Sequence, residues 1–276
     1  LGDVYKRQVL MMENKVVTKK VLERAGISVP GGYEYTSPEA GMADYRMYAG
    51  KPVVIKPKST NFGLGITILK HNYDETDFKA ALQIAFEHDN TVLIEKFIPG
   101  REFRIFIIND EVVGILHRVP ANVTGDGVLN IGQLIDRKNE DPLRGKGYRT
   151  PLEKIRKGRE EEMFLKQQGM DFNTVPKEGE VVYLRENSNI STGGDSIDFT
   201  DDIDDSYKAI AVEAAKALNV KITGLDMMIQ DIHAPATPDN YAIIEMNFNP
   251  AIHIHCYPFK GKNRHLNHKM IRALGF

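Results

Sequence analysis

Apolar positions recur along this chain at two spacings, three to four apart in some stretches and two apart in others, and their alternation predicts the elements. Residues 13–25 have helical spacing, with Val17, Val21 and Leu22 on one side and Gly26 as the stop. Ser37-Pro38-Glu39 is a helix start, with a serine cap, proline in the first turn and a carboxylate for the helix dipole. Residues 53–56 form a strand ended by Pro57, and 66–69 another. A helix follows over 74–87, capped by Asp74 and apolar at Phe78, Leu82 and Ala85, then a strand over 91–96. Residues 102–108 and 111–119 make a hairpin about Asn109-Asp110. The stretch 120–180 is polar and irregular, with short helices over 130–138 and 159–168; later helices occupy 205–218 and 266–276. Helices alternating with antiparallel hairpins predict an α+β or mixed α/β fold. A smaller lobe spans 29–95 and a larger one 96–276, preceded by a lead-in helix over 9–28.

The period of two is clearest near the C-terminal end. Residues 224–229 and 241–248 read as strands, and the turn residues of 233–240 join them as a hairpin. Alternation sends Leu225, Met227, Ile229, Ala242, Ile244, Met246 and Phe248 to a core, and Asp226, Glu245, Asn247 and Asn249 the other way. Folding about residues 235 and 236 sets Asp226 opposite Glu245. Two carboxylates and an amide oxygen converging there are hard ligands, suited to magnesium held with substrate phosphates. On these residues alone the solvated face of an edge hairpin is equally allowed.

Two further segments carry candidate chemistry. In Lys56-Pro57-Lys58-Ser59-Thr60-Asn61-Phe62-Gly63-Leu64-Gly65 a lysine ends a strand, and a loop of small, hydroxyl and glycine residues comes next. Glycines let backbone N–H groups turn toward a phosphate, and lysine adds a point charge. The spacing is not that of a Walker P-loop, and the next element is a strand, so the loop reads as a hairpin lid or as a plain glycine-rich surface hairpin. Glu95-Lys96-Phe97-Ile98-Pro99-Gly100-Arg101-Glu102 sets two carboxylates seven apart around a proline turn. Such a crossover can receive adenine by backbone groups and a ribose by a carboxylate; by itself it shows only a crossover.

Composition narrows the classes. With 42% hydrophobic and 27% charged residues the chain is an ordinary globular one, and its formal charge of −2 gives no case for nucleic acid. The single cysteine, Cys256, rules out an internal disulfide framework and fits a reducing compartment, so cytoplasm is the default. No apolar run reaches membrane-spanning length. Residues 1–8 look foreign to the rest of the chain, like translated read-end sequence, and are left out of fold reasoning. His253, His255, His265 and His268 suggest zinc only weakly; His253 and His255 line an acceptor site or simply pack. The acidic run Asp201, Asp202, Asp204 and Asp205 reads as helix capping. The basic run 154–159, balanced by Glu160, Glu161 and Glu162, reads as a solvated face.

Taken in order, these segments resemble an ATP-grasp carboxylate–amine ligase over nearly all of 9–276. Residues 118–127 and 184–195 resemble the branch that holds cyanophycin synthetase and the glutathione synthetase half of the bacterial bifunctional glutamate–cysteine ligase/glutathione synthetase. The ending 249–264 is closer to the glutathione enzyme. The resemblance implies two α+β lobes with ATP and two magnesium ions between them, manganese being a substitute. It implies amide-bond formation through an acyl phosphate, giving glutathione from γ-glutamylcysteine and glycine. A cyanophycin-type ligase and a degenerate nucleotide-binding module are the rival readings. It also implies small-molecule partners only, a preceding or fused glutamate–cysteine ligase domain, and a homodimer.

Carried over residue by residue, Lys15 matches the lysine on the α-phosphate and adenine side, and Lys56 the one reaching the α- and β-phosphates. The phosphate lid is Ser59, Thr60, Asn61, Gly63 and Gly65. Glu95 with the backbone of Lys96, Phe97 and Ile98 holds adenine, and Glu102 the ribose. Asp226, Glu245 and Asn247 bind the metals. Arg185, Asn247 and Arg118 are the catalytic candidates. Some family members carry an arginine two residues before the first metal carboxylate; Gly224 stands there, and Arg185 is its expected replacement.

Overall fold

In the computed structural model, residues 10–59, 64–70 and 72–275 are described. In chain order the elements begin with helix α1 (Lys15–Arg24), strand β1 (Gly32–Tyr35), helices α2 (Pro38–Ala43) and α3 (Tyr45–Tyr48), and strands β2 (Val53–Pro57) and β3 (Thr67–Leu69). Helix α4 (Glu75–Phe86) and strands β4 (Val92–Lys96), β5 (Arg101–Ile108), β6 (Glu111–Val119) and β7 (Asn122–Thr124) come next. Then come α5 (Ile131–Lys138), β8 (Arg144–Gly145), β9 (Leu152–Glu153), α6 (Arg159–Gln167), β10 (Val181–Tyr183) and β11 (Asp195–Asp198). The chain continues through α7 (Asp205–Ala217), β12 (Ile222–Ile229), β13 (Tyr241–Asn247), α8 (His253–Cys256) and α9 (Leu266–Ala273).

Two compact units result. One comprises the described part of 1–101 with 109–111 and 204–250; the other comprises 102–108, 112–203 and 251–276. These units divide the chain differently from lobes bounded at residue 95, because the β12–β13 hairpin groups with the first hundred residues.

The first unit holds an antiparallel sheet in the order β1-β4-β2-β3. Helix α4 covers it with Phe78, Leu82 and Ala85, the three positions its periodicity marks, against Tyr35, Tyr48, Ile55 and Ile94. Its start is fixed by a capping box in which Asp74 and Asp77 each accept the other's backbone N–H. Ser37 caps α2 by accepting from the Ala40 N–H. Helix α1 is capped by Asn14, but its buried side differs from the expected one: Thr18 and Leu22 face inward and Val17 is exposed. The face is turned by one position, because the inward stripe carries a threonine flanked by lysines rather than a valine.

The β12–β13 hairpin has the expected pairing of Asp226 with Glu245, but a bulge interrupts it between Asp226 and Met227. From there Met227 pairs with Ile243 and Ile244 is the extra residue. Beyond the bulge Tyr241, Ala242 and Ile243 are all buried, whereas Ile244, expected in the core, is only half-buried. Phe248, also expected inside, lies past the strand end and is exposed.

In the second unit β11, β6 and β5 lie side by side; Asn109 and Asp110, which link β5 to β6 and group with the first unit, have the left-handed conformations a tight hairpin turn needs. The segment 120–180, expected to be irregular apart from two helices, also holds β7, which pairs with β10, and the paired β8 and β9. Its core gathers Val123, Ile131, Leu134, Ile135, Leu165 and Val182. Of the acidic run, Asp204 does cap α7, whereas Asp201 pairs with Lys262 and Arg264. His255 is wholly buried, edge-on to Phe106, and neither ring nitrogen has a hydrogen-bond partner among the described residues. His253 is exposed.

Burial, aided by the nearby positive charge of Arg104 and only partly opposed by Asp198, depresses the His255 pKa to about 3. The unfolded chain therefore binds a proton below pH 6.5 that the folded chain refuses until about pH 3. Stability should fall as pH drops through that window and be insensitive to this group above it. Urea midpoints from pH 7.5 to 4 test this: His255→Leu should flatten the acid slope, and an unchanged slope would clear His255 of the effect.

Candidate active site

In the first unit the charged groups gather round one buried carboxylate. Glu95, at 3% exposure, is the penultimate residue of β4; Lys56 Nζ from β2 stands 2.8 Å from its Oε2, and Lys19 Nζ from α1 donates to its Oε1. Lys19 also donates to the Pro30 carbonyl at 3.1 Å. Burial pushes the Glu95 carboxyl up, but Lys56 and Lys19 outweigh it and hold the group below its ordinary range. Burial lowers the Lys15 and Lys19 ammonium groups, with nearby Glu245 and Glu95 respectively opposing it.

Lys15, one turn before Lys19 on α1, reaches the other carboxylate group: its Nζ lies 4.0 Å from Glu245 Oε1 on β13. Asp226, almost fully buried, is the cross-strand partner of Glu245, and Asn247 lies two residues further along β13. The Asn247 Nδ2 is buried without a hydrogen-bond partner among the described residues. No three histidine, cysteine or carboxylate side chains gather as a metal cluster among the described residues. The hairpin thus offers two carboxylates and an amide. That donor set fits a divalent cation of the magnesium type, which takes one or two carboxylates and completes its shell with phosphate oxygens and water.

Of the expected adenine segment, the Lys96 and Phe97 N–H groups are occupied, donating to the carbonyls of Gly31 at 2.8 Å and Pro52 at 3.0 Å. Ile98 is half-buried. Among the lid positions, Thr60, Asn61 and Gly63 lie outside the described residues. Ser59 N–H donates to Asp89 Oδ2 at 2.7 Å, anchoring the loop's first end. Burial raises the Asp89 pKa, yet the N–H groups of Ser59 and Thr91 hold it below its usual value. At the other end Gly65 has φ +72, and a Cβ there would stand 2.7 Å from Pro57 Cγ and from His88 Cδ2.

The second unit holds the remaining candidates. Glu102 forms an ion pair with Arg118 and accepts from Ser188 Oγ at 3.0 Å. Arg185 is paired with Glu160 and Glu161 of α6 rather than with Glu186 or Asp195. Glu161 is the buried carboxylate that also accepts the Gly158 N–H at the start of α6. Asp195 instead meets Lys138 at 2.7 Å, Asn122 at 3.1 Å and Arg144.

Sequence reasoning passed over Lys19 and Asp89. The i, i+4 spacing of Lys15 and Lys19 on one helix was the available signal for the first. Nothing local marks Asp89, whose role is to hold the Ser59 and Thr91 backbone.

Residues 12–137 match the RimK-like ATP-grasp domain. The D-alanine–D-alanine ligase of Bacillus anthracis shares the fold at 20% identity, with a TM-score of 0.52 over 87% of this chain and 58% of that one. The chain has the ATP-grasp fold.

Relatives named for glutathione biosynthesis match the chain over nearly all of its length. The chain is 62% identical, over 97% of its length, to a glutathione biosynthesis bifunctional protein of Desulfotalea psychrophila, and 55% identical, over 96%, to that of Clostridium perfringens. A bifunctional glutathione synthetase of Pasteurella multocida superposes with a TM-score of 0.74 at 48% identity, covering 97% of this chain and 37% of that one. The chain spans about a third of the length of the two curated relatives, 34% of each.

The geometry at Gly65 gives a direct test. A left-handed residue with a Cβ costs about 1–2 kcal/mol, so Gly65→Ala should lower unfolding stability by that amount, and by more where the Pro57 ring cannot give way. Equilibrium denaturation measures it; an unchanged midpoint would mean the loop end is free to rearrange.

Proposed function

We propose that this chain is an ATP-dependent carboxylate–amine ligase that joins γ-glutamylcysteine to glycine, giving glutathione, ADP and phosphate. The observation that carries the reading is the cross-strand Asp226–Glu245 pair with Lys15 beside it, in a chain 62% identical to a glutathione biosynthesis protein. The bifunctional names of the relatives support a further reading, that the chain works beside a glutamate–cysteine ligase domain in a longer protein; location in the cytoplasm and a homodimer belong to the same proposal.

The chemistry is dictated by charge. A carboxylate is a poor electrophile, so its oxygen takes the γ-phosphoryl group of ATP, releasing ADP and leaving an acyl phosphate. The amine nitrogen of glycine then attacks the acyl carbon, loses a proton, and phosphate departs. Asp226, Glu245 and Asn247 would hold two magnesium ions, or manganese in their place, whose charge would offset that of the phosphates.

The chain's own groups do the rest. Lys15 and Lys56 offset the repulsion between nucleotide and carboxylate. Ser59, Thr60, Asn61, Gly63 and Gly65 close over the phosphates and keep water from the acyl phosphate. Glu95 and the 96–98 backbone take adenine; since the Lys96 and Phe97 N–H groups are engaged, the backbone donor in this reading is Ile98. Glu102 takes the ribose, its carboxylate held by Arg118 and Ser188. Arg185, fixed by Glu160 and Glu161, with Asn247 and Arg118, stabilises negative charge on the acyl phosphate and the tetrahedral intermediate.

Phosphate release with γ-glutamylcysteine and glycine, compared with aspartate- and arginine-containing acceptors, tests the substrate assignment. Release only with the latter would overturn it. Glu245→Gln should keep the fold and cut turnover by roughly a hundred- to a thousandfold; full wild-type activity after exhaustive chelation would sink the metal assignment.

Arg185→Lys should leave the KM for ATP in place and lose most of kcat, since an ammonium lacks the guanidinium's paired donors. Steady-state kinetics decides, and wild-type kcat would leave Arg185 as a clamp on α6.

A further inference from the structure

Lys56 is asked to serve two groups. The nucleotide reading sends its single ammonium to the phosphates, yet it stands 2.8 Å from Glu95 Oε2. Glu95 is at 3% exposure, so a carboxylate left there without a cation would lose its charge by taking up a proton. A protonated Glu95 would be a poorer acceptor for the 6-amino group of adenine, the role that reading gives it.

Lys19 removes the conflict. It donates to the other carboxylate oxygen, Oε1, and is tied separately to the Pro30 carbonyl, so it has a reason to stay when Lys56 leaves. It sits on the inward face of α1 with Thr18 and Leu22, a placement for an ammonium that only an opposed charge justifies.

We propose that Lys19 is a positioning residue: the standing counter-ion of Glu95, which frees Lys56 for the phosphates and leaves Glu95 Oε2 to accept the adenine amine. The proposal rests on the ATP reading above. It assigns Lys19 a part in base choice, because guanine presents a carbonyl oxygen where adenine presents the amine, and a carboxylate held ionised repels it.

Calorimetric titration of the chain with ATP and with GTP, both with magnesium, tests this. Loss of a charge-assisted contact should weaken ATP binding by about tenfold to a hundredfold in Lys19→Met and shrink the ATP-over-GTP ratio. Lys19→Arg should recover most of both. In a Glu95→Gln background Lys19→Met should add less than about a twofold change, since the two act through one contact.

Lys19→Met that weakens ATP and GTP equally, or that leaves ATP binding unchanged, overturns the proposal while the ATP reading stands. If Lys19→Met fails to fold, the comparison of E95Q with K19M/E95Q decides: equal affinities support the proposal and unequal ones overturn it. A wild-type chain that binds no ATP overturns the nucleotide reading and this inference with it.

Discussion

A carboxylate taken out of water stays ionised only where donors or cations meet it, and Glu95 shows what that requirement does to a fold. Leaving such a group bare costs several kcal/mol after all relaxation. Its oxygens therefore have to be met by two different elements, α1 through Lys19 and β2 through Lys56. Lys19 reaches on to the Pro30 carbonyl just before β1. One buried charge thus sets where α1 lies against β4 and where the chain enters β1. It also turns α1, since an inward stripe of Lys15, Thr18, Lys19 and Leu22 leaves Val17 outside.

The second unit obeys the same rule at β11, whose two ends are aspartates. Asp195 meets Lys138, Asn122 and Arg144, and Asp198 meets Arg264 and Thr200. Burial acts against the ionised Asp198, but Arg264 and Thr200 keep it below its ordinary range. The segment carrying Arg264 runs along the strand, with Lys260 N–H donating to Ser196 O and Asp198 N–H to Lys260 O. This covers an edge that would otherwise offer bare backbone groups to another chain.

What could be read from the sequence was what depends on neighbours in sequence. The caps at Ser37 and Asp74, the Phe78-Leu82-Ala85 stripe and the Asp226–Glu245 pairing each come from local spacing or turn chemistry. The bulge after Asp226 could not be read, because nothing in the unbroken apolar run from Tyr241 to Ile244 marks which residue is the extra one. Ile244 and Phe248 were misplaced for that kind of reason: alternation was carried through a bulge and past a strand end. The charge partners were hidden for a different reason. Lys19 and Glu95 are 76 apart in sequence, and Arg185 lies 24 from Glu161, so spacing says nothing of either pair. Of the site itself, the residue types at Lys15, Lys56, Glu95, Asp226 and Glu245 were legible, and the network that joins them was not.

That network explains why a nucleotide site of this kind would need divalent metal. In the first unit three lysines, Lys15, Lys19 and Lys56, stand with three carboxylates, Glu95, Asp226 and Glu245, so the formal charge sums to zero. Such a set can be held out of water in the free protein because Glu95 meets two of the lysines and Glu245 the third. It has no positive charge to spare for a triphosphate. A lysine can turn toward phosphate only by leaving a carboxylate behind, and Asp226 and Glu245 would repel the phosphates directly. Cations bound with the nucleotide would reverse both effects, with the two hairpin carboxylates serving as ligands rather than repulsive groups and Lys15 freed from Glu245. On the proposed reading, the same carboxylates that balance the lysines in the free protein would then hold the metal, so neither set could be chosen independently of the other.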